Sequence, residues 1–480
     1  MSRAAVNPAA GTTGRRPSRR TLLGGVVGGL ASAVALPSGA ANAAGATNSL
    51  ATRASSGTTP AALTAEPYVS LPVTPGGGPT TGDHVHVLKV GPQDAATVLV
   101  LVPGQFGAAN DFRLLARDVV AAVPDVQVWA FDRREESLVD RAGFATADPL
   151  TYYLDDHYTT QLPSNSPYFA TWGLTQTLAD LRTVVCAARD GGRRRVVLGG
   201  HSWGATTALA YAAWDFDGRP GYRDVTALAL LDGGVLGAFD GTGATVQDSP
   251  EEVKQRLAAI ADGGVLDMTL SGTGLGTRAE SSQIWYQLAG WYAHRDPDGR
   301  SVLQPHLPDA LQLPYAITNS ALLGTLVDAS FGWPNDITVH SGSIADTGAV
   351  RGWIDSGITP ISRVATAYAG PEPTVWQWYW PARLSVDLDV TDAYADTELA
   401  RSLGLRLLHG AQLDVPLYAF ETSLTNGTVL DSARRLVANS RIPYGTYASD
   451  DGMNHLDPLF AAPDRNTATR SLTDFLTALR

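Results

Sequence analysis

Val196-Val197-Leu198-Gly199-Gly200-His201-Ser202-Trp203-Gly204-Ala205 holds a G-x-S-x-G pentapeptide between an apolar run and a small-residue run that continues to Ala213. A strand followed at once by a helix puts the serine between them on a sharp, strained turn, with its hydroxyl exposed at the top of a sheet. The two flanking glycines have a steric purpose, because strand and helix backbones approach too closely there for side chains. A chain this rich in Gly and Ser yields roughly a third of one such match by chance. The rest of the sequence therefore has to supply a base, an acid, an oxyanion site and the right order of strands.

Upstream, Asp83 to Val90 alternates as a half-exposed strand, and Thr97 to Val102 is apolar throughout, as a strand buried on both faces would be. The latter ends at Pro103-Gly104-Gln105-Phe106-Gly107. Val126 to Phe131 is the next strand and ends at Asp132-Arg133-Arg134. Helical spacing follows from about Asp111, and again from about Thr171 to Arg189, where Leu174, Leu178, Leu181 and Val185 form the stripe. The one cysteine, Cys186, is read as a small buried residue of that helix. Beyond the pentapeptide, Val225 to Leu231 is another buried strand, ending at Asp232.

Strands alternating with helices predict a doubly wound, mostly parallel sheet with functional groups at the carboxyl ends of its strands. The alternation breaks between 235 and 410, where seven of the eleven tryptophans lie. That stretch is read as a mainly helical, loop-rich cap insertion, with Trp285 and Trp291 as candidate substrate-pocket residues. The core thus divides into 67–234 and 411–480, the second part carrying the strands Val415 to Phe420 and Ile442 to Ala448 and a closing helix.

A serine attacks a carbonyl only when a base removes its proton, and histidine suits that task near neutrality. Of nine histidines, His455 alone follows a late strand with serine and acid candidates upstream. His201 precedes the serine directly and is read as a packing or hydrogen-bonding residue. Two carboxylates compete to orient His455: Glu421, at the end of the strand before it, is preferred, and Asp232 is the alternative. The oxyanion needs two backbone N–H donors, taken as Trp203 together with Gln105 or Phe106. No metal or cofactor is called for.

Val-Leu-Val-Pro-Gly-Gln-Phe, Phe-Asp-Arg-Arg, Gly-His-Ser-Trp-Gly, Leu-Leu-Asp and the terminal Asn-His-Leu-Asp-Pro together resemble the α/β-hydrolase superfamily, over about residues 80–235 and 410–480. The cap matches no subfamily. The resemblance implies two-step acyl transfer to water: an ester, thioester or amide acylates Ser202, and His455 then activates water. The expected function is hydrolysis of a carboxylic ester (or thioester) by a serine esterase or lipase, the substrate being small and apolar or aromatic. A peptidase or amidase, or an acyltransferase with the same triad, are the alternatives within enzymes, and a binding module without turnover is the alternative outside them.

The first 43 residues read as a signal peptide. Arg15, Arg16, Arg19 and Arg20 precede a weakly apolar stretch, Ala41-Asn42-Ala43 offers a cleavage site, and Ser18 to Leu23 resembles a twin-arginine export signal. Residues 44–66 read as a flexible leader. The apolar stretch is too short and glycine-rich for a stable membrane span. Loss of residues 1–43, with five arginines and no acidic residue, takes the formal charge from −12 to −17. So acidic a surface disfavours nucleic acid and anionic lipid as partners. The protein is expected to be secreted or extracytoplasmic.

Overall fold

The computed structural model describes residues 66–243, 249–331, 338–370 and 372–479. The export signal lies outside the described residues, as does the leader up to its last residue, Glu66. Glu66 itself is described and pairs with the Arg117 guanidinium at 2.6 Å. No helix among the described residues is long and apolar enough to cross a membrane.

Eight strands form one sheet: β1 Tyr68–Pro72, β2 His84–Val90, β3 Thr97–Val102, β4 Val126–Asp132, β5 Arg195–His201, β6 Ala227–Leu231, β7 Leu417–Glu421 and β8 Gly445–Ser449. Their spatial order is β1-β2-β4-β3-β5-β6-β7-β8. β2 runs antiparallel to both neighbours and every other pairing is parallel. β3 and β4 are buried along their whole length. That is why neither alternates in sequence, β3 being apolar after Thr97 and β4 interrupted only by Gln127 before Asp132. β1 lacks such a run and escaped the sequence reading.

Six helices flank the sheet: α1 Arg113–Ala122, α2 Leu174–Arg189, α3 Trp203–Ala213, α4 Ala382–Thr391, α5 Thr428–Ala438 and α6 Thr467–Ala478. After β4 the chain crosses back over β3 to β5. Right-handed crossovers in opposite directions place α1 and α2 on opposite faces. The reversal leaves a crevice beyond the carboxyl ends of β3 and β5, between the turn at Pro103 and Ser202. Along α2 the apolar stripe runs as expected, but Cys186 lies one step past Val185 and off that stripe, so it is exposed and not buried.

The insertion after β6 carries the helices Pro250–Ala261, Ser281–Arg295, Asn319–Val327 and Ile361–Tyr368. Residues 382–410, at the far end of the stretch read as the cap, bond both to the inserted helix Pro250–Ala261, through Arg256 and Asp389, and to the core. Asp387 Oδ2 accepts from the Leu174 N–H at the start of α2 (2.8 Å), Tyr394 Oη donates to the Leu209 carbonyl (3.1 Å), and the Asp215 N–H donates to Arg406 O (2.9 Å). α4 is buried on nearly every side, Asp387 and Asp389 included, and so shows no amphipathic stripe in the sequence.

Beyond β4 a run of charged residues is buried. Asp132 accepts from the Ala109 N–H (2.5 Å) and the Tyr68 hydroxyl (2.7 Å), and Arg134 forms two bonds of 2.7 Å with Asp180. Burial pushes the Glu135 carboxyl up to about 7, and burial together with the Asp132 charge raises Glu136 as well. The folded chain thus holds protons that the unfolded chain, at an ordinary Glu pKa of about 4.3, has already released. Stability from this pair therefore falls as pH rises from that value towards neutrality. Calorimetry should give a higher Tm at pH 5.5 than at pH 8, and Glu135→Gln should flatten that slope; an unchanged slope would refute the assignment.

Candidate active site

Ser202 stands between β5 and α3 with φ 57° and ψ −130°, a conformation strained for any residue with a side chain. The turn is held by the Ser202 N–H on Leu231 O and the Ala205 N–H on Ser202 O, both 2.9 Å. The glycines of the pentapeptide are sterically required. A methyl group at Gly204 would lie 1.9 Å from Val102 O, and one at Gly200 would lie 2.3 Å from Gly204 O. Both obstacles are backbone atoms and cannot rotate away. Gly204→Ala is expected to prevent the turn from closing, read as insoluble protein or as a large fall in Tm with loss of activity; a soluble, active variant would contradict this geometry.

His455 lies in the loop after β8, buried, with its Nδ1 2.5 Å from Asp232 Oδ2. The carboxylate that meets the imidazole is therefore Asp232, and the preference for Glu421 is corrected. Asp232 follows β6 with φ 48°, which turns its side chain out of the strand direction. Its Oδ1 accepts from the Thr422 N–H at 2.8 Å and its Oδ2 from the Thr422 hydroxyl at 2.5 Å. Burial alone would raise the Asp232 pKa. The hydrogen bond and charge of His455, with the two bonds from Thr422, more than offset that and hold it below the usual carboxylate range.

Glu421 instead caps α5. Its Oε1 accepts from the Thr425 hydroxyl and the Gly427 N–H, both at 2.5 Å, and its Oε2 from the Leu430 N–H at 2.9 Å. A carboxylate at a helix N-terminus satisfies orphan N–H groups and complements the helix dipole. Register alone could not separate the two acids, because Phe420 pairs with Leu231 and both carboxylates sit one residue past that pair.

His201 holds the loop that carries His455: its Nε2 donates to the His455 carbonyl at 2.8 Å, and the two rings lie 4.3 Å apart. Burial lowers its pKa to about 3, so it stays neutral under working conditions.

The expected oxyanion donors lie on either side of Ser202. Trp203 is the first residue of α3, so its N–H has no intrahelical partner. Across the crevice, a bond of 3.2 Å from the Gly107 N–H to Gly104 O closes the turn that carries Gln105 and Phe106, with Phe106 at φ 58°. A methyl at Gly104 would lie 2.9 Å from Ser202 Cβ, which shows how closely this turn approaches the serine.

The insertion meets that turn directly. The Ala108 N–H donates to Val375 O (3.1 Å) and the Gln377 N–H to Phe106 O (2.7 Å). The Trp380 ring lies 5.9 Å from Phe106 and 6.3 Å from Trp203. Trp285 is buried within the helix Ser281–Arg295, and Trp291 packs on Tyr292 beneath the Arg295 guanidinium. Trp380 thus packs on residues from both sides of the candidate oxyanion site, and in the sequence it is one of three tryptophans at alternate positions. Arg133, likewise missed, donates to Pro103 O (2.7 Å) and to Gln377 (3.1 Å) behind the turn.

The strand order, the single antiparallel strand β2 and the strand–serine–helix turn after β5 define an α/β-hydrolase fold. No family model and no curated protein matches the chain. Among solved structures it is similar to a Sulfolobus solfataricus protein provisionally named a lipase, at 17% identity, covering 83% of this chain and 91% of that one with a TM-score of 0.47. It is also similar to a soluble variant of the monoglyceride lipase of Saccharomyces cerevisiae (9% identity, 88% and 98% coverage, TM-score 0.39). Epoxide hydrolase A of Mycobacterium thermoresistibile is a third such structure (15% identity, 86% and 99% coverage, TM-score 0.39).

Proposed function

We propose that the chain is an exported serine hydrolase that cleaves carboxylic esters, or thioesters, through an acyl-enzyme on Ser202. The observation that carries the reading is the buried Asp232–His455 bond, set behind a serine on a strained turn with candidate N–H donors on both sides. In this reading Asp232 fixes the imidazole with its proton on Nδ1, leaving Nε2 to take the Ser202 proton. The oxygen of the attacked carbonyl gains charge and is received by the N–H of Trp203 and that of Gln105 or Phe106. His455 then returns the proton to the leaving alcohol or thiol, and the same imidazole activates the water that releases the acid.

Trp380 and Phe106 pack together, buried, behind the turn that carries those donors, and these apolar surroundings support a small apolar or aromatic acyl group as substrate. Export rests on the twin-arginine-like leader.

The test is covalent. A fluorophosphonate probe should label wild-type protein at Ser202, located by peptide mass, and should not label Ser202→Ala. Hydrolysis of p-nitrophenyl esters in preference to peptide anilides, without transfer to added alcohol, supports the esterase reading over an amidase or acyltransferase. Failure to label Ser202 overturns the proposal.

A further inference from the structure

We propose that Asp267, on the inserted segment, is a positioning residue for the oxyanion turn, so that the cap forms part of the catalytic apparatus and is more than a lid over it. This rests on the serine-hydrolase reading above. Asp267 Oδ2 accepts from Gln105 Nε2 at 3.1 Å and from the Ser385 hydroxyl at 2.6 Å. Its Oδ1 accepts from the N–H and the hydroxyl of Thr269, at 2.9 and 2.5 Å. The carboxylate is therefore held by three other hydrogen bonds, from two residues, beside the one from Gln105.

The same residue is joined to Trp380 twice. The Asp267 N–H donates to Trp380 O at 2.8 Å, and Trp380 Nε1 donates to the Ser385 hydroxyl at 3.0 Å. The Trp380 ring then packs against Phe106 and Trp203, the residues on both sides of the oxyanion site, with the Arg133 guanidinium 4.6 Å from its centroid.

The turn needs this support because it has little of its own. Phe106 sits in the left-handed region, where a side chain is disfavoured, and one bond from Gly107 to Gly104 closes the turn. Oxyanion donors act only when they are in place before charge develops, and a misplacement of about 1 Å can cost about a hundredfold in rate. The inserted segment grips the turn at two successive residues, Gln105 through its side chain and Phe106 through its carbonyl.

Steady-state kinetics on a p-nitrophenyl ester, with inhibition by an aryl boronic acid that mimics the tetrahedral intermediate, tests this. Asp267→Ala and Gln105→Ala are each expected to lower kcat by about 10- to 100-fold with KM within about twofold. The boronic acid should weaken by a similar factor. The double variant should be no slower than the worse single one. Gln105→Glu sets two carboxylates against each other and should lower kcat at pH 8, whereas Gln105→Glu combined with Asp267→Asn exchanges donor and acceptor and should restore it.

If Asp267→Ala fails to fold, the exchange pair still decides. Multiplicative single effects, a rise in KM without loss of kcat, or no rescue by the exchange would overturn the positioning role. An active Ser202→Ala would overturn the hydrolase reading instead, so the two failures are distinguishable.

Discussion

Ser202→Ala should lower kcat for ester hydrolysis by a factor on the order of 10⁶, down to what binding and the oxyanion donors alone sustain. Alanine keeps the Cβ and so keeps the packing of the turn against Gly104 and Gly233, whose backbones close around Ser202. What it loses is the oxygen that forms the acyl bond in the proposed mechanism. The loss should therefore appear in kcat with Tm little changed, measured on a p-nitrophenyl ester and by thermal unfolding. Activity within about tenfold of wild type would rule out an acyl-enzyme on Ser202.

Asp232→Asn is the second large effect, about 10⁴ in kcat. Asp232 is fully buried and its bond to His455 Nδ1 requires the proton to sit on that nitrogen. An asparagine amide can instead donate to Nδ1, which leaves the proton on Nε2, where it blocks acceptance of the serine proton. The imidazolium formed during the reaction also loses its buried counter-charge.

Glu421→Gln is the matched contrast. Its oxygens serve Thr425, Gly427 and Leu430 at the start of α5, so it should leave kcat within a few-fold and lower stability by about 1–3 kcal/mol. The reverse pattern, activity lost in Glu421→Gln and kept in Asp232→Asn, would return the acid role to Glu421. Asp232 also links stability to pH. Its depressed carboxyl contributes stability above the unfolded value of about 3.9, lost as pH falls through its folded value.

The parts of the site that lie within one local stretch were legible before any tertiary contact was known. The elbow is a matter of adjacent residues: an apolar strand, two glycines forced by backbone contact, and a helix starting at Trp203. The turn at Pro103 to Gly107 was legible for the same reason, since it ends a strand buried on both faces. His455 was found by chain order.

The acid was misplaced, because it depends on which of two similar residues long-range packing brings to His455. Asp232 and Glu421 end neighbouring strands in register, and the choice between them turns on a left-handed backbone at Asp232 and on the helix start that occupies Glu421. The helix at 382–391 was not legible either, because it is buried on nearly all sides, which leaves no periodicity to read.

By itself the sequence determined the alternation of strands and helices and the strand–serine–helix turn at Ser202, because those follow from backbone sterics and periodic burial within short segments. Tertiary structure alone decided which carboxylate meets His455 and which inserted residues bond to the turn at Gln105 and Phe106, because single hydrogen bonds between distant segments depend on where packing brings each side chain.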